Sequence, residues 1–451
     1  MNKEYLINER PVKALLLFAM PMIIGNLFQQ FYTMVDSVVV GKFVGENALA
    51  AVGASYSLTT VFISIAIGGG VGASVITGLY FGSRSYDKMK LSIRTALITF
   101  LALSIILASA GLVFSRQIMI ALNTPDEILS QATEYLNIYF LGLPFLFMYN
   151  ILSSMFNALG RSKIPLYLLI FSSIFNVVLD IFMVCELHMG IAGVAWATLI
   201  AQGISAIMAF ILFLREMRMF KLAEDTISNM PFYSRAELGN MARIALPSIF
   251  QQSTVSIGMM LVQSVVNSFG AEMLAGFSAA MRIESICVVP MAAMGNVMSS
   301  YTAQNIGAKK FDRISKGYNT GYFIVFAFAA IIAFALELFH TSLINLFLEE
   351  DASAIALETG VGYLKFCGWF FVMIGLKMIT DGVLRGSGDM KMFTIANLVN
   401  LGIRVLLSFA LAPTVGISIV WIAVPIGWTV NYIISFIEYR TGRWKKLHTD
   451  E

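Results

Sequence analysis

Charge is scarce in this sequence. Only 13% of its 451 residues are Asp, Glu, Lys or Arg, against 58% hydrophobic residues. A soluble domain carries about 25% charged residues, so a water-soluble globular fold is excluded. Cysteine and histidine are equally sparse, at three each. Cys185, Cys287 and Cys367 all lie in or beside apolar runs, as packing residues do and a disulfide framework does not. His188, His340 and His448 are scattered, and no H-E-x-x-H occurs, so an intramembrane zinc protease is not expected. No G-x-x-x-x-G-K-[ST] loop is present to cradle ATP phosphates. The glycine-rich "GGGVGAS" (68–74) lacks the lysine and sits inside an apolar run, where glycines permit close helix packing. The chain is therefore read as a non-enzyme that needs no organic cofactor, and any driving energy must come from an ion gradient.

Long apolar runs are what the sequence does have. A helix needs roughly 20 apolar residues to cross about 30 Å of hydrocarbon. Twelve spans are predicted near 13–41, 48–80, 91–114, 132–159, 164–186, 190–214, 239–268, 273–303, 317–338, 355–384, 391–413 and 416–438. The first is too long for the apolar core of a signal peptide and is expected to stay in the membrane. Most of the 30 basic residues fall in alternate connections and the tails, from Lys3, Arg10 and Lys13 through Lys221 to Lys445 and Lys446. The opposite loops hold Lys42, Arg116 and acids such as Asp126, Glu127, Glu349, Glu350 and Asp351. By the positive-inside rule both termini are cytoplasmic, in a multi-pass protein of the plasma membrane. Topology alone accounts for the basic loops, so no nucleic-acid partner is expected.

The chain repeats itself. "FAMPMIIGNLFQQ" (18–30) has a counterpart in "IALPSIFQQ" (244–252), with Pro21 matching Pro247. "TGLYFGSRSYDKM" (77–89) matches "TAQNIGAKKFDRI" (302–314) at an offset of 225. The predicted fold is all-α and membrane-integral, with twelve transmembrane helices in two pseudo-symmetric six-helix lobes. The N-terminal lobe covers 1–218, a cytoplasmic linker 219–237 and the C-terminal lobe 238–451. Parallel repeats of this kind commonly hold a substrate site between them.

A few charges interrupt the apolar runs. At about 1.5 Å per residue, Asp36 lies roughly 8 Å below the outer end of its helix, Asp180 about 9 Å and Thr198 about 12 Å. Asn176 precedes Asp180 by one turn and shares its face. No basic residue of this half lies at that depth. Two nearby carboxylates without a cationic partner cannot both ionise easily, so they are expected to act together. That describes a proton carrier, or a cation site if carbonyls and Thr198 complete an oxygen shell. The alternative is two separate acids, each satisfied by backbone or by water in a vestibule. The second half differs: "NLGIR" (400–404) stands where "NVVLD" (176–180) stood, and Gln263 falls near the place of Asp36. There Glu284 is expected to pair across helices with Arg404, and Lys377 with Asp381 along one helix.

"MPMIIGNLFQQFYTMVDSVVVGKFVGENALAAVG" (20–53), "FNALGRSKIP" (156–165), "NVVLD" and "DGVLRGSGD" (381–389) together resemble the multidrug and toxic compound extrusion (MATE) transporters, most closely their DinF-like branch. The resemblance covers essentially the whole chain. It implies a proton- or sodium-driven antiporter that expels amphipathic organic cations from a cavity between two lobes. It carries the family's first-helix acid onto Asp36, the fifth-helix Asn and Asp onto Asn176 and Asp180, and the sixth-helix Thr onto Thr198. One departure is clear: the seventh span has no acid and Ile374 stands at the tenth-helix acid position, so a NorM-type sodium site in the second lobe is not expected.

The expected cycle is secondary antiport by alternating access, coupled to H⁺ or Na⁺ and carried out by a monomer. The first helix is expected to flex near Pro21, which frees a carbonyl partner, and Gly25. Its partners are small organic substrates and membrane lipid. With 26 Met and 35 Phe available, thioethers and aromatic faces suit broad recognition of flat cations. Gln29, Gln30, Tyr32, Met148, Asn157, Gln251 and Gln252 are expected to face the pore. Two other readings stay open at this level, a lipid-linked oligosaccharide flippase and a non-transporting membrane sensor or scaffold.

Overall fold

In hydrocarbon every backbone N–H and C=O must be satisfied within its own segment, which leaves helices as the spanning form for runs this long. The computed structural model describes residues 4–220, 231–348 and 353–448, and every regular element among them is helical. Lys3, Lys221, Glu349, Glu350, Asp351 and most of the 219–237 linker lie outside the described residues. The first half contains α1 (Tyr5–Asn8), α2 (Pro11–Val39), α3 (Glu46–Gly82), α4 (Tyr86–Ala121), α5 (Asp126–Ala158), α6 (Lys163–Ile181) and α7 (Gly190–Met217). The second contains α8 (Arg235–Asn267), α9 (Ala271–Gly307), α10 (Phe311–Asn345), α11 (Ala354–Gly368), α12 (Phe371–Ser387), α13 (Met390–Val415), α14 (Ser418–Thr441) and α15 (Arg443–Lys446).

Among the described residues, eleven helices are long and apolar enough to cross a membrane, and α11 with α12 forms one further span bent by 52°. The unbroken helix expected over 355–384 is thus corrected to a broken one. Its ladder switches to tighter bonds at the break, Phe370 N–H to the Cys367 carbonyl and Met373 N–H to the Phe370 carbonyl. Gly368, the weakest helix former nearby, ends the first segment.

The internal repeat is visible in the backbone at one pair of helices. Helices α3 and α9 are both 37 residues long and begin 225 positions apart. Each follows a glycine in a conformation closed to other residues, Gly45 at φ 113° and Gly270 at φ 99°. Each is followed by the same left-handed turn, at Arg84 (φ 57°) and Lys309 (φ 56°). The chain forms two compact units, one of residues 24–249 and one of residues 1–23 with 250–451. Both boundaries fall inside long helices, two residues beyond Pro21 in α2 and Pro247 in α8. Proline removes one ladder hydrogen bond at each place.

Close helix approach depends on missing side chains. In the first unit a Cβ added at Gly72 would lie 2.6 Å from the Met241 carbonyl oxygen, as the glycine-rich stretch led us to expect. In the second, a Cβ at Gly382 would lie 2.5 Å from the Gly295 carbonyl oxygen. Backbone cannot yield as a flexible side chain can, so Gly382→Val is expected to separate α9 from α12. Overpacking of this kind costs about 1–3 kcal/mol. Thermal unfolding in detergent is expected to show a clear loss of stability for Gly382→Val and little change for Gly402→Ala, where a Cβ meets open space.

Candidate functional site

The first unit gathers its polar groups where α2 and α6 end. Each helix loosens there into a π-helical turn, Val40–Val44 after α2 and Phe182–Glu186 after α6, and the two turns touch. Such turns are rare and recur at functional positions. Asp36 stands one helical turn before the first, and Asp180 two residues before the second. Asp180 is fully buried and Asn176 nearly so. The carboxyl groups of Asp36 and Asp180 are in hydrogen-bonding contact with each other. One oxygen of each, Oδ1, is buried without a partner among the described residues.

Asn176 holds Asp180 in place. With its amide turned to suit every neighbour, the NH₂ group donates to Asp180 Oδ2 at 3.2 Å and its Oδ1 accepts from the Thr198 backbone N–H at 3.1 Å. The Tyr32 hydroxyl bonds directly to the same amide. Thr198 Oγ1 lies 3.5 Å from the amide and donates to the Val194 carbonyl at 3.0 Å. Asp36, Asn176, Asp180 and Thr198, picked out by depth along their helices, therefore meet in one place. Among the described residues, no Lys or Arg pairs with either acid.

Two tyrosines complete the site. Tyr32, expected among the pore-lining residues, stands against the carboxyl pair. Tyr135 of α5 is close enough to both acids to feel their charge, and sequence reasoning missed it. Its signal was present in "TEYLNIYF" (133–140), where Tyr135 and Tyr139 recur one turn apart in an apolar helix.

The other expected pore residues do not gather here. Gln29 is exposed and Gln30 half-buried on α2. Met148 lines an apolar hollow of about 730 Å³ with α4 and α7 residues such as Leu97, Ile207 and Phe210. Asn157, at the far end of α5, buries its Oδ1 without a partner among the described residues. Gln251 and Gln252 belong to the second unit. The boundary between the units passes between Pro21 and Gly25, and a Cβ at Gly25 would meet Leu166 and Leu169 at 3.5 and 3.7 Å, an ordinary contact.

In the second unit one acid is neutralised on its own helix. Lys377 pairs with Asp381 at 3.3 Å, and Asp381 also accepts from Ser435 Oγ at 2.7 Å and Asn397 Nδ2 at 3.4 Å. The expected Glu284–Arg404 ion pair does not form. Glu284 instead accepts from the Tyr363 hydroxyl, which α11 brings to it. Losing a buried hydrogen bond costs about 1–3 kcal/mol when a partner is left unsatisfied. Tyr32→Phe is thus expected to lower the thermal stability of the purified protein by a few degrees. Asn176→Ala, which strips partners from Asp180, Tyr32 and Thr198, is expected to lower it further.

The same halves are visible in comparison with known proteins. The MatE family model matches residues 21–182 and again 247–410. The chain is 31% identical over 443 residues to a probable multidrug resistance protein, YpnP, of Bacillus subtilis (strain 168), covering 98% of each chain. It is 26% identical over 441 residues to YoeA, another probable multidrug resistance protein of that organism, covering 96% of this chain and 94% of the relative. A crystal structure of MATE in complex with MaL6 shares the fold, with a TM-score of 0.90 at 24% identity over 99% of each chain. With a family match in each half and a relative similar along its whole length, the chain belongs to the MatE family of multi-pass membrane transporters.

Proposed function

We propose that the chain is a cation-coupled secondary antiporter that exports amphipathic, mostly cationic organic compounds by alternating access. Asp36 and Asp180 take up and release the coupling ion. The observation that carries this reading is the contact between the buried Asp180 carboxyl group and the half-buried one of Asp36, with no basic residue among the described residues paired to either. Two carboxylates in contact within a low dielectric cannot both remain ionised, so the pair requires one monovalent cation. Direct contact between the carboxyl groups suits a shared proton, and a sodium ion is the alternative that the test below separates. Asn176, Tyr32 and Thr198 orient the acids, so that protonation changes their bonding and not only their charge.

The antiport logic follows from electrostatics. A deprotonated pair attracts an organic cation, and uptake of a proton from outside cancels that attraction and favours release. Coupling of this sort is reciprocal, typically 5–150-fold in affinity. The names of the relatives support organic compounds as the cargo, which crosses without chemical conversion. Flexing of α2 between Pro21 and Gly25 would let the outer half of the helix repack as the acids change state.

Reconstitution in liposomes tests the scheme. A fluorescent organic cation is expected to move under an imposed pH gradient, and Asp36→Asn to slow that flux at least tenfold. Flux that follows a sodium gradient at constant pH instead would identify sodium as the coupling ion. Unchanged flux in Asp36→Asn would make the acid structural and overturn the reading. Gly25→Ala, whose methyl fits the packing, is expected to keep wild-type thermal stability and yet slow transport, as a backbone hinge requires.

A further inference from the structure

The second unit carries, on the side rich in basic residues, a hollow of about 660 Å³. The single turn α1 builds one wall. Its Tyr5, Leu6 and Ile7 are buried. The Leu6 carbonyl accepts from Asn305 Nδ2 at 3.1 Å and from Arg313 at 3.2 Å, and Lys310 Nζ donates to the Ile7 carbonyl at 3.2 Å. This docking sets Arg10 beside the turn between α9 and α10.

Six cations line the hollow: Arg10, Lys309, Lys310, Arg313, Lys316 and Lys445. Asp312 is the one acid among the described residues of the lining. Among the described residues, none of the six forms an ion pair with a carboxylate. Lys310 and Arg313 are held by backbone carbonyls, and Lys445 lies over the Phe311 ring at 5.6 Å. The side chains of Arg10, Lys309 and Lys316 are exposed and, among the described residues, donate to no protein group. Membrane topology needs basic residues in a loop, but does not require cations from three separate segments to converge on one hollow. Six like charges in such proximity repel unless an anion lies among them.

We infer that this hollow binds the phosphate headgroup of an anionic phospholipid. It lies at the first residues of two membrane-crossing helices, Pro11 of α2 and Phe311 of α10, so its occupant sits at the membrane edge. Ile7, Pro11 and Phe311 offer apolar wall to the glycerol and the first acyl carbons. Arg10, Lys309 and Lys316 supply the free donors for the phosphate oxygens, as basic pockets between membrane helices do for anionic headgroups. The bound lipid ties residues 7–11 to the α9–α10 turn and so steadies the inner end of α2.

Purified protein in detergent, given phosphatidylglycerol or phosphatidylcholine, provides the test by native mass spectrometry and thermal unfolding. Phosphatidylglycerol is expected to be retained at least tenfold more and to raise the melting temperature, since a ligand of the folded state stabilises it. Arg10→Ala/Lys309→Ala/Lys316→Ala is expected to abolish that preference, while Lys88→Ala/Arg235→Ala/Arg440→Ala, outside the hollow, keeps it. The single reversal Lys316→Glu is expected to weaken it measurably, which guards against misfolding of the triple variant. Equal retention of the two lipids, or a preference untouched by both hollow variants, would overturn the inference. Equal protection by inorganic phosphate at the same concentration would assign the hollow to a soluble anion and overturn it too.

Discussion

Two carboxyl groups pressed together in a membrane protein, with no basic side chain among the described residues paired to them, constrain everything around them. Asp180 is fully buried, and Asp36 touches it from a different helix. Hydrocarbon offers neither group a solvent to fall back on, so the donors must come from fixed positions. Asn176, one turn below Asp180, donates its amide to that acid, and the amide is in turn held by the Tyr32 hydroxyl and by the Thr198 backbone N–H of the returning helix. The π-helical turns at the ends of α2 and α6 let both helices finish close together. A site built this way is stiff in its second layer and titratable at its centre, which suits ion exchange better than permanent structure.

The scaffold beneath the site is duplicated, but the chemistry is not. Helices α3 and α9 agree in length, in the glycine before them and in the left-handed turn after them. Backbone geometry of this kind restricts the residue at each turn, because Gly45 and Gly270 occupy a conformation that L side chains rarely adopt. Side chains on the same scaffold are free to diverge. The second unit places Arg404 where the first has Asp180, and neutralises Asp381 with Lys377 on the same helix. That asymmetry is why the proposed ion exchange falls to one unit alone.

The prolines and glycines divide the work of motion and packing. Pro21 and Pro247 each precede a unit boundary by two residues, so each long helix loses a ladder bond close to where it passes from one compact unit to the other. Gly72 and Gly382 face backbone at distances that admit no side chain, and they hold their helices in close register. Gly25 meets only the ends of two leucines, which leaves conformational freedom as its contribution. Glycines alike in the sequence thus serve opposite purposes.

Most of the fold was legible in the sequence, because a membrane leaves few choices: an apolar run of sufficient length has to become a helix, and it did at every position expected except 355–384, where the helix is broken. The break at Trp369 was not legible, since no proline or charge marks it. Asp36, Asn176, Asp180 and Thr198 could be grouped from their depth along helices of known direction, because rise per residue converts position into height. Depth says nothing of rotation about the helix axis. Tyr32 could therefore be placed in a pore but not against the acids, Tyr135 went unnoticed, and Glu284 was matched to Arg404 when Tyr363 reaches it instead. Height in the membrane was determined by the sequence alone; which side chains meet at that height depends on helix rotation and interhelical packing, and only the tertiary structure decided it.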